Sequence, residues 1–183
     1  MMHEYKEIKE VLLTEEQIRA RVNEMGRAIT ERYRDKKEVV LIGILKGSVL
    51  FMADLARQID MPVTFDFMAV SSYGKSTTSS GVVRILKDLD SSVEGKHVII
   101  VEDIIDSGHT LNYIRDNLEG RGAESVSIVT LFNKPNRRKA EMEVDLVGFT
   151  LPDAFVVGYG LDFAEKYRNL PYLAVLHEDA YSV

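Results

Sequence analysis

Residues 98–110 read Val-Ile-Ile-Val-Glu-Asp-Ile-Ile-Asp-Ser-Gly-His-Thr and gather most of the chemistry visible in the chain. An apolar run, 98–101, ends in two adjacent carboxylates, Glu102 and Asp103. Asp106 follows, and then the small turn Ser107-Gly108-His109-Thr110. A short apolar run bounded by turn residues predicts a buried strand, here one that delivers acidic groups to its carboxyl end. The turn then offers backbone N–H groups where a helix begins. Carboxylates accept hydrogen bonds from ribose hydroxyls or hold a hard cation, whereas an N–H nest suits a phosphate. One ligand type meets both needs, a phosphorylated ribose.

The elements that must position this stretch can be read from periodicity. Thr14 with Glu15, Glu16 and Gln17 is a capping-box start, and Ile18, Val22, Met25 and Ile29 recur at helical spacing, which predicts a helix over about 14–35. A buried strand over 39–45 ends at Lys46-Gly47, and a helix over 48–58 follows. Alternation predicts a strand over 63–71, another lies at 82–86, and residues 72–81 between them are small and polar. After the strand at 98–101, Leu111, Ile114 and Leu118 mark a helix face closed by Gly120 and Gly122. Further strands are read at 126–132, 146–149, 155–157 and 173–176. Strands alternating with helices predict an α/β fold with a central parallel sheet flanked by helices. In such sheets ligands sit beyond the carboxyl ends of the strands. Lys46-Gly47, 102–110 and Lys134 all fall there.

Length and composition set bounds. At 183 residues a single domain, 1–183, is expected, with room for a proper core. There is no cysteine, so no disulfide scaffold. The first residues are charged rather than signal-like and no apolar run is long enough to span a bilayer, so the expected address is cytoplasmic and no membrane partner is expected. The net charge of −6 speaks against a nucleic-acid partner. The strongest basic cluster, Lys134 to Lys139, is followed by Glu141 and Glu143 and reads as a solvated loop. His3, His97 and His177 have no partner at ligand spacing.

Taken together and in order, these motifs resemble those of the purine phosphoribosyltransferases, and more narrowly of the bacterial hypoxanthine-guanine phosphoribosyltransferases. Residues 101–110 match the phosphoribosyl-pyrophosphate motif of the whole superfamily. The narrowing comes from Leu45-Lys46-Gly47-Ser48, Ser72-Tyr73-Gly74, Phe132-Asn133-Lys134, the run 152–162 and Arg168. The match extends from about residue 12 almost to the C-terminus. It implies the type I phosphoribosyltransferase fold, with a small hood over the base built from the N-terminal segment and from about 150–183. It implies purine salvage: a 6-oxopurine (hypoxanthine or guanine) and 5-phosphoribosyl pyrophosphate give IMP or GMP and pyrophosphate, with Mg2+ as cofactor. Small-molecule substrates and a homo-dimer or homo-tetramer are the implied partners. Two alternatives remain, a xanthine-preferring transferase and an RNA-binding regulatory relative with weak transferase activity, the latter kept by the Arg137-Arg138-Lys139 patch.

The resemblance also assigns roles. Asp106 becomes the catalytic residue, accepting or holding the N7 proton of the purine; read alone, it serves equally as a helix N-cap. Glu102 and Asp103 hold the ribose hydroxyls and, with Asp162, are the metal candidates. Strand alternation points the first two to opposite sides, so one of them can be structural. The acidic pair would also fit a phosphoacceptor site of the response-regulator kind, but the turn after Asp106 would have no use there. Ser107, Gly108, His109 and Thr110 cradle the 5′-phosphate, with His109 expected to give its backbone N–H. Lys46, Gly47 and Arg168 bind pyrophosphate, and in the family the peptide before that lysine can be cis. Lys134 donates to O6 of the base, Phe155 stacks on it, Val156 offers backbone groups to its edge, and Asp162 meets magnesium or the exocyclic group of guanine. Ser72 and Tyr73 belong to a lid over 72–81.

Overall fold

In the computed structural model, residues 5–72 and 83–181 are described. The central sheet has six strands in the order β4-β3-β2-β5-β6-β7. They are β2 (Val39–Leu45), β3 (Thr64–Ser72), β4 (Val83–Lys87), β5 (His97–Ile105), β6 (Ser125–Asn133) and β7 (Leu146–Thr150). β3, β2, β5, β6 and β7 run parallel, while β4 is antiparallel to β3. The sheet is therefore mixed rather than all-parallel. Its odd strand is the edge one, where an antiparallel neighbour needs no crossover helix.

β1 (Ile8–Leu13), β8 (Val156–Val157) and β9 (Leu173–Leu176) form a second, three-stranded sheet in the order β1-β9-β8. The strands read at 155–157 and 173–176 thus lie outside the central sheet. β1 was not anticipated. Its sequence Ile-Lys-Glu-Val-Leu-Leu is half exposed and shows no clean alternation.

α1 (Glu15–Tyr33) starts at the capping box as read. Gln17 N donates to Thr14 Oγ1 at 3.3 Å and Thr14 N donates to Gln17 Oε1 at 2.8 Å. α1 and α2 (Val49–Ala56) cover one face of the sheet, where Ile18, Met25, Phe51, Leu55, Leu41, Ile99 and Val101 are buried together. α3 (His109–Gly120) covers the other, with Val40, Ile42, Val98, Ile100, Ile114 and Leu118. Neighbours along β2 and β5 go to opposite layers, the period-2 rule at work. Two buried layers account for the unbroken apolar runs of these strands. Among the described residues no helix is long and apolar enough to cross a membrane.

Candidate active site

The site lies at the carboxyl edge of the central sheet. β5 does not stop at Val101 but runs on through the acidic pair to Ile105, paired with β6 up to Ile105↔Asn133. Glu102 and Asp103 therefore sit on regular strand, where alternation sends their Cβ atoms to opposite sides, yet the two carboxyl groups still meet in a shared hydrogen bond. Glu102 lines a cavity of about 270 Å³ with Asp106, Ser107, Gly108 and Thr110, walled by Ile44, Leu45, Val70 and Ile104. Asp103 lies against the loop after β2. A Cβ placed on Gly47 would fall 1.6 Å from Asp103 Oδ2, so only glycine admits this approach.

Burial raises both carboxyl groups. For Glu102 the desolvation penalty comes first and the neighbouring Asp103 charge adds to it, and its pKa stands well above the ordinary range. Asp103 is pushed up to about 6 by burial, against the pull of the Ile104 N–H, which donates to its Oδ1 at 2.7 Å. Glu102 Oε2 is buried with no hydrogen-bond partner among the described residues. Such an atom invites a hydroxyl donor or a cation.

The turn beyond β5 is held from outside. Lys139 N and Ala140 N both donate to the Ser107 carbonyl, at 3.1 and 3.0 Å. Gly108 is left-handed (φ 83) and is itself the N-cap of α3, with no side-chain cap bond. Asp106 is thus not a capping residue. Its carboxylate is exposed and makes no hydrogen bond to a described residue. His109 is exposed and outside the cavity lining.

Lys134 follows β6, and its N–H donates to the Ile105 carbonyl at 3.0 Å. Its ammonium is buried and donates to the Ala154 carbonyl at 2.7 Å. Burial lowers its pKa, and the charge of Asp106 opposes that shift. Phe155 immediately precedes β8. Tyr181 stacks on it at 4.7 Å and Phe163 meets it edge-on at 5.7 Å. Val156 is buried in β8 opposite Val175.

The Leu45–Lys46 peptide is cis. Gly160 (φ 100) presses on the other side of this loop, where a Cβ would lie 2.0 Å from the Gly47 carbonyl oxygen. Gly160 is tied to Arg168 in both directions: its N–H donates to the Arg168 carbonyl at 2.9 Å, and Arg168 Nη1 donates to its carbonyl at 2.8 Å. Arg168 Nη2 pairs with Asp162 Oδ1 at 2.8 Å, and Lys46 pairs with Glu165 at 2.7 Å.

The structure therefore gathers Glu102, Asp106, Ser107, Gly108 and Thr110 around one cavity, Gly47 against Asp103, and Lys46, Asp162 and Arg168 in one charged cluster. It does not unite Glu102, Asp103 and Asp162: among the described residues no group of three such side chains is arranged to hold a metal. One or two of these carboxylates with substrate oxygens and water would suffice for a cation such as Mg2+, which seldom takes an all-protein shell. The orphaned Glu102 oxygen and the hard-oxygen donors fit that ion. Of the lid, only Ser72 at the end of β3 is described; Tyr73 and residues up to 82 lie outside the described residues.

Sequence reading gave no role to Gly160, Glu165 or Ile104. Gly160 was signalled by the spacing Gly158-Tyr159-Gly160, two glycines around one residue being a mark of close backbone approach. Ile104 was signalled by its place between Asp103 and Asp106 on the cavity side of the strand. Glu165 had no signal, because its partner Lys46 is 119 residues away.

The comparisons agree with one another. The signature of the phosphoribosyl transferase domain matches residues 14–164. A hypoxanthine-guanine phosphoribosyltransferase of Bacillus subtilis is 55% identical, covering 96% of this chain and 97% of that protein. A crystal structure of a Staphylococcus aureus hypoxanthine phosphoribosyltransferase superposes with a TM-score of 0.93 at 52% identity, covering 97% of this chain and 96% of that one. A Trypanosoma cruzi hypoxanthine phosphoribosyl transferase, described for the role of its C-terminal region in oligomeric state and activity, gives 0.93 at 42% identity, covering 99% and 97%. With the signature spanning most of the chain and relatives aligned nearly end to end, the protein is an enzyme that belongs to the phosphoribosyltransferase family.

Proposed function

We propose that this enzyme transfers the 5-phosphoribosyl group of phosphoribosyl pyrophosphate to N9 of hypoxanthine or guanine, yielding IMP or GMP and pyrophosphate. One observation carries the reading: the N–H turn after β5 shares a cavity with Glu102, whose Oε2 has no partner among the described residues, while the glycine loop packs on Asp103 and the buried Lys134 follows β6 at the same sheet edge. The names of relatives at 52–55% identity support the base class.

In this reading the 5′-phosphate takes the backbone N–H groups of 107–110 at the start of α3, where the helix dipole favours an anion. Glu102 accepts a ribose hydroxyl with its free oxygen, and Asp103 keeps the Gly47 loop in place beside the sugar. Lys46, Gly47 and Arg168 take the pyrophosphate. The C1′–O bond breaks with its electron pair leaving on pyrophosphate, and N9 forms the new bond to C1′. Asp106 holds the purine N7 proton, which leaves more electron density at N9, and accepts it as the N9–C1′ bond forms, so that the nucleotide leaves with a neutral base. The base rests on Phe155, on the ring face that Tyr181 leaves, and Val156 supplies backbone groups to its edge. Lys134 exchanges the Ala154 carbonyl for O6. An amino group at that edge, as in adenine, would meet the ammonium without an acceptor. Asp162, already paired with Arg168, fixes that guanidinium and stands near the exocyclic group of guanine. When bound, Mg2+ would be held by Glu102 or Asp103 together with substrate oxygens and would neutralise charge on the leaving pyrophosphate.

The small sheet of β1, β8 and β9 is the proposed hood, in a single domain with the central sheet, and the segment from Ser72 onward is the proposed lid. Self-association into a dimer or tetramer is supported by large apolar side chains left outside the core, Phe65 (56% exposed), Leu86 (61%), Val49 and Leu50. A cytoplasmic address goes with this reading, because the phosphorylated co-substrate does not cross membranes. The RNA-binding alternative loses support, because Arg137 is paired with Asp153 and Arg138 with Asn133.

A base panel tests the reading. With phosphoribosyl pyrophosphate and Mg2+, hypoxanthine and guanine should turn over and adenine should not; adenine turnover at a similar rate, or a clear preference for xanthine, would refute it. Lys134→Ala should cut kcat/KM for hypoxanthine by about 10–100-fold, the worth of a hydrogen bond from a charged donor, and narrow the gap to adenine. An unchanged ratio between the two bases would remove Lys134 from base selection.

A further inference from the structure

Residues 163–166 form a two-residue hairpin: Phe163 N donates to Lys166 O at 3.1 Å and Lys166 N to Phe163 O at 3.0 Å. The two tip residues, Ala164 (φ 51) and Glu165 (φ 63), are both left-handed. That is the geometry of a type I′ turn, which favours Asn-Gly and similar pairs. Alanine and glutamate are poor choices there, and an unfavourable backbone held in place calls for a functional reason.

The tip's only evident product is the position of one carboxylate. Lys46 Nζ donates to Glu165 Oε2 at 2.7 Å, and Arg168 Nη2 donates to Glu165 Oε1 at 3.2 Å. The Glu165 N–H is anchored on Asp162 Oδ2 at 2.9 Å. Glu165 thus puts one oxygen on each of the two cations assigned above to pyrophosphate, much as two oxygens of a bridging phosphate would. The contact with Lys46 is exposed, with side-chain exposures of 69% for the lysine and 65% for the glutamate. Pairs of that kind are weak and exchange readily. The lysine contact also holds the Glu165 carboxyl below its usual range.

We propose that Glu165 is a built-in stand-in for pyrophosphate, which occupies Lys46 and Arg168 in the free enzyme and must surrender both when a pyrophosphate group binds. It keeps the two cations aimed and charge-matched while the site is empty, and it retakes them as the product departs. The idea rests on the assignment of Lys46 and Arg168 to pyrophosphate. It predicts that Glu165 weakens pyrophosphate binding, although it belongs to the same cluster.

The test compares Glu165→Gln, which keeps the backbone demand but drops the charge, with the parent enzyme by titration calorimetry in Mg2+. Three ligands are used: inorganic pyrophosphate, phosphoribosyl pyrophosphate and IMP. The variant should bind the first two about threefold to tenfold more tightly, the scale of exposed ion pairs. It should bind IMP, which has no pyrophosphate group, unchanged. Pyrophosphate should become a correspondingly stronger product inhibitor. Glu165→Asp, charged but too short to bridge both cations, should fall between. Equal tightening toward IMP would show a general loss of repulsion and overturn the proposal. So would unchanged or weaker pyrophosphate binding, the latter marking Glu165 as a simple organiser of the two cations. If the parent enzyme bound neither pyrophosphate nor phosphoribosyl pyrophosphate, or if Arg168→Ala left that binding intact, the site assignment itself would fall. That result is distinct from a failure of Glu165 alone.

Discussion

Asp106→Asn should lower kcat by ~10²–10⁴-fold, the usual contribution of a positioned acid–base group, while nucleotide affinity stays within a few-fold of the parent. The structure makes this a clean measurement. Asp106 is exposed, is not the cap of α3, and makes no hydrogen bond to a described residue. Its replacement by an isosteric amide should therefore shift stability by no more than about 0.5 kcal/mol. What changes is chemistry at the cavity wall: the amide cannot take a proton, and its neutral carbonyl would hold a purine N7–H more weakly than a carboxylate does. The field on Lys134 changes too, since Asp106 is, ahead of Asp153, an anion that supports its buried ammonium. Single-turnover rates, IMP binding and a melting curve together decide the matter. Full turnover in the variant would end the proton-holding role.

Gly160→Ala should be among the most damaging methyl additions at the described glycines. At φ 100 an alanine is strained wherever it sits, and here its Cβ would lie 2.0 Å from the Gly47 carbonyl oxygen. A backbone atom cannot swing aside as a side chain can. Either the Gly47 loop moves off Asp103 or the 158–161 turn moves off the loop, and Arg168 follows because Gly160 is bonded to it in both directions. The expected result is a loss of about 2–4 kcal/mol in stability, the range of strained or overpacked positions, and at least ~100-fold in kcat/KM for phosphoribosyl pyrophosphate, the cost of a misplaced substrate-positioning group. Gly120→Ala supplies the contrast: nothing lies within 4 Å of its added Cβ, and it should be neutral or slightly stabilising by virtue of helix propensity. Denaturant midpoints and initial rates for the two variants check the pair. A Gly160→Ala enzyme of normal stability and activity would mean that the contact with Gly47 positions nothing.

Much of this site could be read before any coordinates, because its main parts are local in sequence. The carboxylates, the turn and the helix start lie within thirteen consecutive residues, and a strand feeding a helix leaves little freedom in how they are arranged. α1 announced itself for the same reason, with cap and face all inside 14–33. What escaped was what depends on distant pairing. β1 is a strand because β9 lies beside it, through Ile8↔Leu176 and Leu13↔Leu173, not because of its own composition. The extension of β5 through Glu102 and Asp103 escaped because charged residues seldom continue a buried strand, and here neighbouring β6 pairs with them regardless. The antiparallel placing of β4 depends on the register Ser72↔Val83 and cannot be had from its five residues. Glu165 and Lys46 meet only after both sheets are built.

The pairing of β1 with β9 also ties the two ends of the described chain together, Ile8 lying opposite Leu176 and Leu13 opposite Leu173. All six strands of the central sheet lie between those ends, the last closing at Thr150. Removal of the chain beyond residue 172 would therefore leave every central strand its partner and strip β1 and β8 of theirs.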